Sequence, residues 1–294
     1  MTALDLPTTV VAPQRTVRQH ITGVWRYREL LMNLVRKELK VKYKNSALGF
    51  VWSLLNPAMY IVVFTIVFQV VLKANIPYFP IFLLSGLLAW NLFSISLGAA
   101  TGSITGNHTL VNKVYFPREI LPLAAVGANC VHFLLQAAVL LLAIVVAPID
   151  FDLAWLWLVL PALAVLLVLT SALAILLSAV NVYARDTQHL LELLLLAWFW
   201  LTPIVYQWEL PGRKLAENDW PTWVILLNPM VAVTTTLQRA LYGQHLADGR
   251  PMLPVDGQWW YLRNLGIVGA VSVVLLVVAM RVFHRLEGNF AEEL

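Results

Sequence analysis

The sequence predicts an all-α integral membrane protein. It has six transmembrane helices, an N-terminal amphipathic helix in the membrane interface, and two re-entrant half-helices on the extracytoplasmic side before the last span. Three observations lead there. Residues 50–72, 74–112, 120–149, 153–184 and 264–280 contain no Asp, Glu, Lys or Arg. A helix crosses bilayer hydrocarbon in about 20 residues, and one charge at its centre costs roughly 2.5–3.5 kcal/mol on insertion scales. Only 12% of all residues are charged and 60% are hydrophobic, against about 25% charged in a soluble domain. The basic residues gather before residue 50, so the net charge of +4 is no basic face for nucleic acid. Cys130 is the single cysteine, which excludes an intrachain disulfide and a Cys-based metal site. No metal and no cofactor is expected in this chain.

Residues 1–25 are polar, Thr-rich and interrupted by Pro7 and Pro13. They read as a flexible cytoplasmic tail, not as a signal peptide. Residues 26–49 form the interfacial helix and the loop after it. Tyr27, Leu30, Leu31, Leu34 and Val35 recur at helical spacing, and Glu29, Asn33, Arg36, Lys37 and Lys40 take the other face. That pattern is an amphipathic helix lying on membrane lipid. Lys40, Lys42, Tyr43 and Lys44 mark the passage into the first span, where Asn45 or Ser46 can cap and Gly49 allows a tight entry. Basic clusters at this depth attract anionic head groups by about 1 kcal/mol per residue, and a helix N-terminus favours phosphate. The positive-inside rule alone accounts for the same lysines.

The transmembrane domain covers 50–285, with spans over 50–73, 81–104, 120–147, 155–182, 188–207 and 264–284, and a cytoplasmic tail at 286–294. Lys and Arg set the orientation. The N-terminal arm, the loops holding Lys113, Arg118 and Arg185, and the C-terminus with Arg281 and Arg285 are cytoplasmic. The loop with Asp150 and Asp152 has no basic residue and lies outside. Residues 223–241 are apolar, but Asn228-Pro229 interrupts them and Thr234, Thr235 and Thr236 follow. Proline removes a helix donor, so half-helices within an extracytoplasmic segment, 208–262, fit better than a seventh span. Such a span would also carry Arg285 outside. Trp208, Trp220, Trp223, Trp259, Trp260 and Tyr261 suit an interfacial aromatic belt.

Four groups of residues bear on chemistry. Trp52, Asn56, Tyr60, Phe64 and Phe68 are four apart in the first span and stack along one face. Aromatic faces can hold the CH face of a sugar ring without one fixed hydrogen-bond pattern, which suits a sliding polymer. Trp198, Phe199, Trp200 and Tyr206 could face them; lipid-facing aromatics are the alternative. In the loop 106–119, Asn107 or Thr109 can cap a short helix whose apolar side is Leu110, Val111, Val114 and Tyr115. Phe116-Pro117 stops it and Arg118-Glu119 opens the third span. A short helix of this kind meets a cytoplasmic partner, or is an ordinary loop. Glu192, one turn after His189, is the acid inside a span. Intramembrane acids are functional candidates, but its place near the cytoplasmic end favours a structural hydrogen bond. His132 and Gln136 share a face and are expected to join helices. Asp150-Phe-Asp152 resembles the Asp-x-Asp metal motif of glycosyltransferases, on three residues only. No Gly-Lys phosphate loop occurs.

Several segments together resemble the membrane subunit of type-2 ABC exporters of cell-surface polysaccharides such as O-antigen, teichoic acid and capsule. They are Arg28-Glu-Leu-Leu, the run from Arg36 through Lys-Tyr-Lys-Asn-Ser-Ala-Leu-Gly to Asn56-Pro57, Asn112-Lys-Val-Tyr-Phe-Pro-Arg-Glu-Ile-Leu-Pro122, Ala184-Arg-Asp-Thr187, Thr202-Pro-Ile-Val-Tyr206 and Leu227-Asn-Pro-Met230. With the extension 1–24, the chain is similar to the permeases of mycobacterial galactan exporters. The resemblance implies a bacterial inner-membrane transport subunit, not an enzyme. Two copies would pair around a conduit, and two separate ATPase subunits would bring ATP and Mg. The ATPases would dock on Arg28, Arg36 and Lys37 of the interfacial helix. They would also dock on a coupling helix with Leu110, Lys113, Tyr115, Phe116, Arg118 and Glu119. The pyrophosphate of an undecaprenyl- or decaprenyl-linked glycan would meet Lys40, Lys42, Tyr43, Lys44, Ser46 and Gly49. The glycan would pass Trp52, Asn56, Tyr60, Phe64, Phe68, Trp198, Trp200 and Tyr206, and the half-helices around Asn228-Pro229 would form an outer gate in the extracytoplasmic gate segment 208–262. The rivals are an ion-coupled secondary transporter, which needs intramembrane ionisable groups and finds little beyond Glu192, and a glycosyltransferase using Asp150 and Asp152.

Overall fold

Backbone polar groups in lipid must be satisfied within their own segment, so an apolar chain of this kind folds as helices. The computed structural model describes residues 27–44, 51–114, 116–147, 149, 152–247 and 249–294. The tail 1–25 lies outside the described residues, as do Asn45, Ser46, Gly49, Tyr115 and Asp150.

Helix α1 is Arg28–Tyr43. Helix α2, Trp52–Thr65, runs on as a π-helix over Ile66–Val71. Helix α3 is Phe79–Thr101, α4 is the short His108–Lys113, and α5 is Ile120–Val146. A 3-10 turn at Leu153–Leu158 leads into α6, Val159–Tyr183, which is followed by α7, Thr187–Trp200. Helix α8 is Glu209–Glu217, and a 3-10 turn at Thr222–Leu227 precedes α9, Pro229–Leu241. An antiparallel hairpin pairs β1, Leu246–Ala247, with β2, Arg250–Pro251. The long α10, Gln258–Glu287, and the short α11, Phe290–Glu293, complete the chain. Among the described residues five helical stretches are long and apolar enough to cross a membrane: Leu54–Val71, Phe79–Thr101, Ile120–Val146, Leu153–Tyr183 and Gln258–Glu287. The chain is an all-α, multi-pass membrane protein.

Helix α3 is the axis of the bundle. It packs on α5, α6, α7 and α9, and 83% of its membrane window is buried, as expected of a helix that is apolar all round. Helix α10 lies along α6. Helix α2 is the opposite case: almost none of its membrane-crossing stretch is buried, so it leaves most of its surface to lipid or to another molecule.

Two expectations change. The span expected over 188–207 is a helix of 14 residues, rising about 21 Å where hydrocarbon is about 30 Å thick. Helix α7 stops before Pro203, which cannot donate to a continuing ladder. The pair of half-helices around Asn228-Pro229 is asymmetric. The first is the 3-10 turn Thr222–Leu227, and only the second, α9, is α-helical. Asn228 caps α9 by accepting from Met230 N at 3.0 Å, and Pro229 stands in the first turn. Thr234, Thr235 and Thr236 are buried in α9. Each bonds a carbonyl a turn back (Met230, Val231 and Ala232, at 2.8, 2.7 and 2.6 Å), which removes the penalty of burying a hydroxyl.

Candidate substrate path and docking elements

The apolar face of α1 turns onto α5. Leu34 and Val35 are buried beside Ile120, Ala124 and Ala128, with Leu30 and Leu31 against the same cluster. Gly127 permits the approach, because a Cβ there would lie 2.9 Å from Val35 Cγ2. Arg28, Arg36, Lys37 and Lys40 stand on the exposed face. Lys37 Nζ donates to Asn107 Oδ1 at 2.6 Å, which ties α1 to the loop that opens α4.

Helix α4 is shorter than the expected coupling helix. Asn107 stands at its N-cap position without making a cap bond; its Nδ2 donates instead to Ser103 O at 2.8 Å. His108, Thr109, Asn112, Lys113 and Val114 are exposed, and Leu110 is half-buried. Phe116 and Glu119 are buried, so they support the loop from behind and cannot themselves be surface contacts. Arg118 donates to Glu287 O at 2.5 Å and lies 5.8 Å from the Phe290 ring centroid. Phe290 is fully buried and Tyr183 Oη donates to Leu286 O at 2.7 Å. The C-terminal turn thus holds the loop after α4, a contact that nothing in the sequence marked.

At the C-terminal end of α1, Lys40, Lys42 and Lys44 are exposed. Local desolvation still lowers the Lys42 pKa. Tyr43 Oη sits 3.1 Å from His132 Nδ1. His132 therefore joins α5 to the interfacial helix.

The aromatic face of α2 forms a ladder. Tyr60 stacks on Phe64 at 5.8 Å, Phe64 meets Phe68 at 6.1 Å, and Phe68 stacks on Phe79 at 5.6 Å. From α7, Phe199 lies 6.3 Å and Trp200 6.4 Å from Phe64. Trp52 and Asn56 are exposed below it on the same helix. Trp198 is not on the ladder. It turns to Phe93 at 5.1 Å and donates Nε1–H to Asn228 Oδ1 at 2.7 Å. Tyr206 donates its hydroxyl to Trp200 O at 2.8 Å, and its ring lines a pocket of about 200 Å³ with Phe68, Gln207 and Arg250.

The segment after α7 is stitched to α9. Asn228 Nδ2 donates to Thr202 Oγ1 at 2.9 Å and Leu201 O at 3.3 Å. Gln238 Nε2 donates to Ile204 O at 3.2 Å. Gly86 leaves room for that amide, since a Cβ would lie 2.8 Å from it. Glu192 is exposed on α7 and has no hydrogen-bond or ion-pair partner among the described residues, against the hydrogen bond expected for it. Asp152 Oδ1 accepts from Ala154 N at 2.9 Å, a cap for the 3-10 turn. No group of three His, Cys, Asp or Glu is placed to hold a metal among the described residues.

The family model for ABC-2 type transporters matches residues 29–242. The chain is 35% identical over 275 residues to the O-antigen export system permease protein RfbA of Myxococcus xanthus, covering 93% of this chain and 98% of that protein. It is 28% identical to the protein of the same name from Klebsiella pneumoniae, over 90% of this chain and 94% of that one. To the polysialic acid transport protein KpsM of Escherichia coli it is 24% identical, over 74% and 82%.

Proposed function

Since the chain belongs to the ABC-2 type transporter family, we propose that it is the membrane subunit of an ATP-driven exporter of lipid-linked cell-surface polysaccharide. The observation that carries this reading is the aromatic ladder Tyr60–Phe64–Phe68 with Trp200, backed by the buried Phe199. It lies on a first span that is otherwise almost unpacked. A run of ring faces holds successive sugars by stacking and lets each be exchanged for the next. An ion-coupled carrier would instead need several intramembrane ionisable groups.

In this scheme the α1 end is cytoplasmic and two copies pair around the path. Two ATPase subunits carrying ATP and Mg press on the exposed faces of α1 and α4. The Lys37–Asn107 bond and the packing of α1 on α5 make these elements move together. The lysines at 40, 42 and 44 receive the pyrophosphate of the polyprenyl carrier, each adding about 1 kcal/mol of attraction. The glycan then follows the ladder to the layer built on α9, which opens to the cell exterior. The cargo is undecaprenyl- or decaprenyl-linked galactan, from the likeness of the extension 1–24 to galactan-exporter permeases, or an O-antigen-like glycan, as the names of the RfbA relatives suggest.

Affinity purification from the native membrane tests the class. The expected result is a co-purifying ATPase in stoichiometric amount, with ATP-dependent loading of lipid-linked glycan into inverted vesicles. Transport by the isolated chain on an ion gradient without nucleotide would overturn it. Depletion in the native host tests the cargo, since the galactan or the O-antigen-like glycan should accumulate on its carrier; accumulation of another glycan would replace both.

A further inference from the structure

Beyond the last ring of the ladder the chain builds a pocket whose chemistry differs from the ladder itself. Phe68 and Tyr206 give it two aromatic walls, Gln207 an amide, and Arg250 a cation at its rim. Tyr206 commits its hydroxyl to Trp200 O, so it offers the pocket its ring. Arg250 is held by a defined hairpin. Ala247 pairs with Arg250, Gly249 makes the turn at φ 76°, and Met252 O accepts from Trp208 N at 3.1 Å. The hairpin is thus anchored to the segment carrying Tyr206 and Gln207. Arg250 is exposed and has no ion-pair partner among the described residues.

We propose that this pocket is a subsite for a single anionic sugar residue, a uronate or a sugar phosphate, with the ring against Phe68 and Tyr206 and the anion on Arg250. The volume of about 200 Å³ is below the ~300–1,000 Å³ of sites for drug-sized ligands, so it suits one ring. Two aromatic faces and an amide bind a pyranose or furanose of any charge. The guanidinium adds the preference, because its planar fork matches carboxylate and phosphate. This subsite rests on the export reading, in which the ladder leads the glycan to it, and on the O-antigen-like cargo, since a plain galactan carries no anionic sugar.

Saturation-transfer NMR tests the subsite on the purified complex in phosphatidylcholine nanodiscs, with D-galacturonate and D-galactose as probes. The expected result is binding of galacturonate about tenfold tighter than galactose, the size of one charge-assisted pair. Arg250→Gln should reduce galacturonate to the level of galactose, and Arg250→Lys should restore part of the difference. Equal binding of the two sugars by the wild type overturns the subsite, and this comparison needs no variant to fold. Undiminished galacturonate binding by folded Arg250→Gln also overturns it. Displacement of galacturonate by phosphatidylglycerol in the discs would assign the pocket to a lipid head group and overturn the sugar assignment. Export by the wild-type complex is measured alongside. Export without selective sugar binding sinks the subsite alone, and a complex that exports no glycan sinks the reading beneath it.

Discussion

Asn228 uses one amide for four partners: it accepts from Met230 N and Trp198 Nε1 and donates to Thr202 and Leu201. Losing an N-cap costs about 1 kcal/mol, and leaving the half-buried Trp198 N–H unpaired adds about 1 kcal/mol more. Asn228→Ala should therefore lower the melting temperature of the purified protein by several degrees. Asn228→Asp keeps both acceptor roles and should recover part of it; a wild-type melt for Asn228→Ala would mean the clamp contributes nothing. At the other end of the molecule, Lys42 and Lys44 are exposed at the end of α1. Lys42→Ala combined with Lys44→Ala should cut export and substrate-stimulated ATPase activity several-fold while the assembled complex survives. Unchanged export in that variant would remove the head-group role.

At the scale of elements, α1 shows how local periodicity carries into tertiary structure. Its apolar positions repeat at the helical period, and the same positions lie on α5. The docking depends on a small residue, Gly127, opposite Val35. Gly127→Leu should push α1 off α5 and lose co-purification of the ATPase, while the span bundle stays folded by circular dichroism; retained co-purification would show that α1 docks partners without its seat. Elements fixed by distant contacts were not legible. Hydropathy reads 188–207 as one continuous span, yet Pro203 stops α7, and Asn228 and Gln238 donate to the carbonyls left at Leu201 and Ile204. Trp198 and Trp200 look equivalent in the sequence. Two steps along a helix turn the chain by about 200°, so one meets Asn228 and the other the ladder. The hairpin and Arg250 carried no signal, because two-residue strands have no periodicity to read.

At the scale of the whole molecule, the exposed side of α2 and α7 decides between lipid and a partner. Exposed Leu55, Met59, Val62 and Leu193 do not decide it, since lipid tails are as apolar as leucine. The polar groups do. Asn56 is exposed on α2 and Glu192 on α7, and polar or acidic side chains in a span normally face a partner or a water-filled cavity instead of lipid. These groups, together with the exposed rings of Tyr60 and Trp200, are poorly matched to hydrocarbon and suit a water-filled path shared with a second copy. Met59→Cys, in a Cys130→Ser background that removes the only native thiol, should then form an oxidant-induced crosslink between two copies in native membranes. Addition of a nucleotide analogue that closes the ATPase pair should change its yield, because the spans on this side move when the docking elements are pressed. If the assembled complex gives no crosslink at Met59, nor at Trp52→Cys one end further along the same exposed side, then α2 faces lipid. The ladder would in that case be a membrane-facing aromatic stripe and the polysaccharide would have to cross elsewhere.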